Sequence, residues 1–381
     1  EAGLSRRDFL SASMLAGGAT LGLADRARAQ QPIAQTQAPP LGRGPQAPTA
    51  TRMKIVILDD YQDAVRRLPS FSRLNGHDVT VYNDSATDLD TLVARLRDAD
   101  AIVLTRERTR ITEDLLVQLP RLRLISQTGT GVRHVDVAAC TRHGVLVAAG
   151  SESGSQAPAE LTWSLILASS RHVPAYSAEL KRGRWQSAGG LGLGRVLYGR
   201  TLGIWGYGQI GEIVAEYGRA FGMNVMIWGS ERSREQAVAK KLLAARSQEE
   251  FFSQADVVSI HLRLVDATRG IVKATDLARM KPDALFVNTS RAELVEPNAL
   301  VTGLRAGRPG FAAVDVFDEE PVNDPSHPLL TMNNVLATPH IGFVELDNYE
   351  LYFGTAFDNV LAFLSKEPRN LVNPEALAGI G

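Results

Sequence analysis

Three glycines carry the first chemical signal in this chain. Gly206, Gly208 and Gly211 lie in the stretch LGIWGYGQIG, residues 202–211, with the spacing G-x-G-x-x-G. Such a turn works through its backbone. Gly206 permits a tight turn, Gly208 lets the main chain approach a pyrophosphate, and Gly211 allows a helix to sit close on a strand. The free N–H groups of the helix start, around Gln209 and Ile210, then face the phosphates. The spacing means little without context, and here the context is present. Leu202, Ile204 and Trp205 read as a short buried strand, and Ile210 to about Phe221 reads as a helix. The expected ligand is a nicotinamide dinucleotide.

The elements that must hold such a turn recur along the chain. Short apolar runs at Lys54–Asp59, Val79–Tyr82, Ala101–Thr105, Leu124–Gln127 and Val145–Ala148 alternate with helical segments such as Asp88–Leu96 and Thr112–Leu119. This β-then-α order argues for a parallel sheet covered by helices. Pro158 opens a long helix, Ala159–Ser170. Six further strands are expected at Leu202–Trp205, Asn224–Trp228, Val257–Ile260, Leu285–Asn288, Ala312–Val316 and Val335–Ala337. The fold class is therefore α/β, with two Rossmann-like, doubly wound parallel-sheet domains and an active-site cleft between them. Residues 53–155 make the first part of a substrate-binding domain and residues 156–341 the dinucleotide-binding domain. Residues 342–381, led by an amphipathic run over Glu345–Leu364, return to the first.

Composition narrows the partners. Across 381 residues, 41 Lys and Arg face 42 Asp and Glu, a net charge of -1. That balance gives neither a nucleic-acid footprint nor a polybasic membrane surface. A single cysteine, Cys140, excludes an intrachain disulfide and a thiolate metal cluster, and reads as buried and inert. His77, His134, His143 and His172 are too scattered for metal-ligand spacing, so no metal is expected. Residues 1–29 combine Arg6-Arg7, a small apolar run and Ala27-Arg28-Ala29, and resemble a twin-arginine signal peptide. That segment is too short and glycine-rich to stay in a bilayer. Residues 30–52, rich in Gln, Pro and Ala, read as a flexible linker. The expected location is periplasmic if the leader works and cytoplasmic otherwise.

Three later stretches complete the pattern: Asn288-Thr289-Ser290-Arg291, then Asp315 to Pro321 (DVFDEEP), then Thr338-Pro339-His340-Ile341-Gly342. Each follows or ends an expected strand, on the side where an open parallel sheet binds ligands. Their order resembles the D-isomer-specific 2-hydroxyacid dehydrogenase family, from about Lys54 to Pro374. The resemblance implies that Arg291 holds a substrate carboxylate and helps polarise its carbonyl. It makes His340 the acid/base, with Glu320 paired to it. The chemistry asks for the same types: an imidazolium gives a proton to a developing alkoxide, a carboxylate favours the charged ring, and arginine matches a carboxylate through a planar fork. Asp315, Thr289, Ser290 and Gly342 are then expected beside the nicotinamide, and His261 on the adenine side. Arg263 stands where the family usually has proline. Leu104 to Thr109 matches the substrate-facing loop, with Arg106 as a second anion contact. In Gln127-Thr128-Gly129-Thr130-Gly131, the N–H groups of Thr130 and Gly131 form a small carboxylate nest.

The strand Asn224–Trp228 normally ends on an acid that selects NAD, but Gly229 holds that position. Ser230 with Arg232 or Arg234 favours a 2′-phosphate, whereas an inward Glu231 restores an NAD site. The lean is to NADP. The leading reading is an enzyme moving a hydride between NAD(P) and a small 2-oxo acid/D-2-hydroxy acid pair. A glyoxylate/hydroxypyruvate reductase and a phosphoglycerate-type dehydrogenase are its alternatives. The chain shows no obvious regulatory domain beyond Pro374, which counts mildly against the second. A dinucleotide-sensing, corepressor-like protein is the reading from another class. A homodimer is expected by resemblance, through the Pro158–Ser170 helix and the glycine-rich segment after Trp185.

Overall fold

The computed structural model describes residues 52–150 and 154–379. The leader expected over residues 1–29, and the linker over 30–52 except its last residue, lie outside the described residues. Twelve strands in the described residues form two wholly parallel sheets. The first has β1 (Lys54–Ile57), β2 (Asp78–Val81), β3 (Ala101–Leu104), β4 (Leu124–Gln127) and β5 (Leu146–Ala148) in the order β2-β1-β3-β4-β5. Ile55 lies opposite both Val79 and Ala101, which fixes the register at its centre. Every residue of β3 and β4 is buried, as a sheet covered on both faces requires.

The second sheet holds β6 (Thr201–Trp205), β7 (Asn224–Trp228), β8 (Leu243–Ala244), β9 (Val257–Ile260), β10 (Leu285–Asn288), β11 (Phe311–Val314) and β12 (Val335–Ala337). Its order is β12-β11-β10-β9-β6-β7-β8. Chain direction across the sheet reverses between β6 and β9, and the crevice outside that switch point is where such sheets take ligands. Strand β8 was not expected; two residues carry no periodicity to read.

Four helices position the site. Helix α1 (Gln156–Ser170) buries Trp163 and Ile166 with Leu202, Ile204 and Val214. It starts two residues before Pro158, which sits in the first turn where its missing N–H leaves no bond unmade. Helix α2 (Gln209–Ala220) follows the glycine turn and α3 (Glu231–Ala239) follows β7. Helix α4 (Leu346–Leu364) crosses back to the first sheet. There Tyr349, Phe353, Phe357 and Val360 join Ile55, Val103 and Leu124 in one core. Polar ties fix its rotation: the Ser126 hydroxyl donates to the Ala356 carbonyl at 2.9 Å, and the Asn359 amide to that of Ala149 at 3.2 Å. Trp163 packs on Tyr217 and Phe221, but Trp185 is 78% exposed.

Candidate active site

The glycine turn meets the geometric demands of a pyrophosphate cradle. Gly206 has φ +101, a conformation that disfavours any side chain, and a Cβ there would strike the His261 carbonyl. A Cβ on Gly211 would collide with the Gly206 carbonyl oxygen, so helix and strand are locked together there. Gly208 is the opposite case. Among the described residues nothing lies within 4 Å of its Cβ position, so this backbone faces a space open to a ligand at the start of α2. Gln209 is exposed and its side-chain oxygen accepts from the Ser155 hydroxyl at 3.2 Å, while Ile210 packs at the edge of the core. This chain's own residues therefore fit a dinucleotide phosphate.

Around the C-terminal ends of β10, β11 and β12 the charged groups converge. His340 Nδ1 lies 2.5 Å from Glu320 Oε2, and Glu320 Oε1 accepts the Phe317 N–H at 3.0 Å. Held at both oxygens, Glu320 orients the ring and leaves Nε2 for the cleft. Burial works to raise the Glu320 carboxyl, but the hydrogen bond and charge of His340 outweigh it and hold the carboxyl below its usual range. Arg291 begins the turn after β10. Its Nη1 donates to the Ser290 carbonyl at 2.7 Å, and its own carbonyl accepts from the Asn288 amide at 2.8 Å. His340, Glu320, Arg291, Arg106, Glu107 and Arg108 share one cleft of about 180 Å³.

Asp315, expected beside the nicotinamide, is tied to the turn that carries His340. Its side chain is fully buried, and both oxygens are taken by the turn that carries His340: Thr338 Oγ1 at 2.6 Å, the Ile341 N–H at 2.8 Å and the Gly342 N–H at 2.9 Å. Gly342, expected beside the cofactor, is buried over this carboxylate. Burial raises the Asp315 carboxyl although these bonds oppose it. His340 itself sits at φ +53, so the carboxylate anchors a turn that its side chain disfavours. Thr289 shares a 2.8 Å hydrogen bond with Thr162 of α1, and the Ser290 hydroxyl donates to the Ile260 carbonyl at 2.8 Å.

On the first sheet, Arg106 follows β3 at φ +56. Thr128 accepts its N–H at 2.8 Å, and the Gln127 amide donates to its carbonyl at 2.9 Å. Its guanidinium lies against the Phe343 and Tyr352 rings, 5.3 and 5.4 Å from their centroids. Burial lowers its pKa, yet guanidinium stays a cation at neutral pH. Gly129, at φ +90, leaves room for that group. Among the described residues, the N–H groups of Thr130 and Gly131 have no acceptor within hydrogen-bond reach.

At the end of β7, Gly229 has φ +152, a backbone that an aspartate would not readily adopt. The Ser230 hydroxyl caps α3 by accepting the Ser233 N–H at 3.3 Å. Arg234 lies over the Trp228 ring at 5.2 Å, and its buried Nε has no partner. Glu231 and Arg232 are exposed on the first turn. His261 closes β9 with Nε2 2.9 Å from the Ser259 hydroxyl, and burial pushes its imidazole down to about 4. It is neutral at physiological pH.

Residues 163–342 match the family model for the D-isomer specific 2-hydroxyacid dehydrogenase, NAD binding domain. The glyoxylate reductase of Aeropyrum pernix is 40% identical over 309 residues, spanning 79% of this chain and 91% of that protein. The chain belongs to the D-isomer-specific 2-hydroxyacid dehydrogenase family. The D-3-phosphoglycerate dehydrogenase of Methanocaldococcus jannaschii is 35% identical over 76% of this chain, but the match spans only about half of that relative, 53%. Among solved structures, the phosphoglycerate oxidoreductase of Vibrio cholerae superposes with a TM-score of 0.80 at 56% identity, covering 82% of this chain and 99% of that one. This protein is therefore an NAD(P)-dependent oxidoreductase of 2-oxo and D-2-hydroxy acids.

Two residues of this dehydrogenase's cleft were read from sequence only as part of the substrate-facing loop, with no role of their own. Glu107 Oε2 lies 3.5 Å from Arg291 Nη2, a contact between the two sheets' loops. Arg108 stacks on Tyr61 at 5.0 Å and reaches Phe343 at 5.6 Å. In RERTR, residues 106–110, alternating charge looks like a solvated loop. The available signals were its match to the family's substrate-facing loop and its place directly after a buried strand.

Proposed function

We propose that the chain reduces a short 2-oxo acid of the glyoxylate or hydroxypyruvate type to the corresponding 2-hydroxy acid. The observation that carries this reading is the 2.5 Å His340–Glu320 pair beside Arg291 in one small cleft. The short-chain assignment is supported by the likeness to the glyoxylate reductase of Aeropyrum pernix, 40% identical over 309 residues. A nicotinamide dinucleotide held at the Gly206–Gly211 turn would supply the hydride. Arg291 and the Thr130–Gly131 N–H groups hold the substrate carboxylate, and Arg291 also stabilises charge growing on the carbonyl oxygen. His340 Nε2 delivers the proton to that oxygen. Glu320 favours the charged ring and keeps its face toward the substrate.

A second reading, a phosphorylated 2-hydroxy acid, is favoured by Arg106 and Arg108 at the cleft wall. Glyoxylate, hydroxypyruvate and 3-phosphoglycerate assayed with both cofactors decide between them. His340→Gln is expected to cut turnover by about 10²–10⁴-fold while leaving dinucleotide affinity nearly unchanged. Near-parent turnover in that variant would place the proton donor elsewhere. The same proposal extends to NADP preference, supported by Gly229 in place of an acid with Arg232 and Arg234 beyond it; tenfold tighter NAD binding would refute it. It includes a homodimer, supported by Trp185, Leu193, Val196 and Tyr198, all exposed along one segment. A monomer in sedimentation at micromolar concentration would overturn that part. It also includes export with the dinucleotide already bound, rejected if native protein is found only in cytosol with the leader uncleaved.

A further inference from the structure

The anchor assigned above to the substrate carboxylate already faces a carboxylate. Glu107 Oε2 lies 3.5 Å from Arg291 Nη2, with both side chains about one-third exposed. Its other oxygen lies directly over Gly131: a methyl group on that glycine would collide with Oε1. Nη1 of Arg291 is committed to the Ser290 carbonyl, so Nη2 is the end of the fork that reaches Glu107. The Thr130 and Gly131 N–H groups beside it have no acceptor among the described residues. One carboxylate thus reaches the arginine and overhangs the nest that a 2-oxo acid needs, without bonding to its N–H donors. Arg106 lies at its side and Arg291 in front, and the carboxylates of Glu293, Asp318 and Glu320 line the same cleft. His134, whose imidazole burial pushes down, donates no hydrogen bond to it.

We propose that Glu107 is an internal competitor for the substrate's carboxylate. It sits on Arg291 and over Gly131 in the ligand-free enzyme, and an incoming 2-oxo acid displaces it. The proposal rests on the reading of Arg291 with Thr130 and Gly131 as the carboxylate anchor. No bond is made or broken in the exchange; one anion replaces another. The substrate's gain over Glu107 comes from the nest, where its carboxylate lies within direct reach of two N–H donors that are unpaired among the described residues. An anion unable to use both the fork and the nest gains too little to dislodge the side chain. Glu107 therefore filters small anions as well as setting the Michaelis constant.

The test uses holoenzyme saturated with reduced dinucleotide and titrated calorimetrically with oxamate, an unreactive isostere of pyruvate. Half-exposed ion pairs of this kind are weak, so Glu107→Gln is expected to tighten oxamate roughly two- to fivefold. The KM for glyoxylate should fall by a similar factor. Glu107→Ser, which loses reach as well as charge, should move both constants in the same direction. Unchanged or weaker oxamate binding in both variants overturns the proposal. A raised KM does the same, since it would make Glu107 a partner for a donor group on the substrate. Arg291→Ala separates the two layers of argument. Loss of oxamate binding there keeps the anchor, so the Glu107 variants alone judge the competitor. Retained binding refutes the anchor itself, and the competitor with it.

Discussion

Replacing Asp315 by Asn changes little in shape and a great deal in bonding. The carboxylate accepts three hydrogen bonds, two at Oδ1 and one at Oδ2. An amide oxygen can keep the two from Thr338 and Ile341, but then its NH2 group meets the Gly342 N–H, donor against donor. That leaves a buried donor unpaired, costing about 1–3 kcal/mol, and weakens the remaining bonds by about 1 kcal/mol each as the acceptor loses its charge. Burial of the carboxylate opposes part of this, since it raises the Asp315 carboxyl. The net expectation is a loss of about 2–4 kcal/mol. His340 sits in the same turn at φ +53, so any relaxation toward an easier backbone moves the ring off Glu320. Displacements near 1 Å at reacting groups can cost about 10²-fold in rate. Urea unfolding, turnover at saturating cofactor and dinucleotide affinity together make the assay. A variant as stable as the parent that loses only dinucleotide affinity would refute the anchoring role, and would favour the nicotinamide contact read from sequence.

The glycine turn makes a paired prediction. Gly211→Ala should unfold at lower denaturant, because its new methyl meets the Gly206 carbonyl, whereas Gly208→Ala should fold normally and lose dinucleotide affinity; equal stability losses in both would refute the assignment of Gly208 to the ligand. Glu179, gripped by Arg184 and Arg182, is held down at about 2, below an ordinary value of 4.5. A depressed carboxyl stabilises the fold above its unfolded pKa and loses that contribution as pH falls through the folded one. Thermal unfolding of Glu179→Gln should therefore lie below the parent at pH 6 and converge with it near pH 2; a constant gap across that window would exclude the ion pair as the cause.

Much of the frame was legible because parallel strands buried on both faces leave unbroken apolar runs. Asn224–Trp228, Val257–Ile260 and Leu285–Asn288 begin and end where those runs do. Strand β11 stops at Val314, two residues before the expected end at Val316, because Asp315 and the residues after it turn toward the loop from β12. That turn was unreadable: the partners of Asp315 lie 23 to 27 residues downstream, and no local pattern announces them. Glu107 was hidden for the same reason, since its partner is 184 residues away. Glycine spacing reported backbone needs well. Side-chain pairs across the cleft had to be seen.

Helix α4 has a consequence for how the chain is made. The core under the first sheet contains Ile55, Val103 and Leu124 from one end of the chain and Phe353, Phe357 and Val360 from the other. During synthesis, that apolar face is covered only in part, by Val65, Leu68 and Leu74, until the ribosome has passed residue 364. The whole seven-stranded sheet is translated in between. Its contacts close over shorter spans, so it can form while the earlier strands are still partly uncovered. The half of the molecule that leaves the ribosome first is then the half completed last. In the interval its partly bare sheet is the surface most in need of a chaperone.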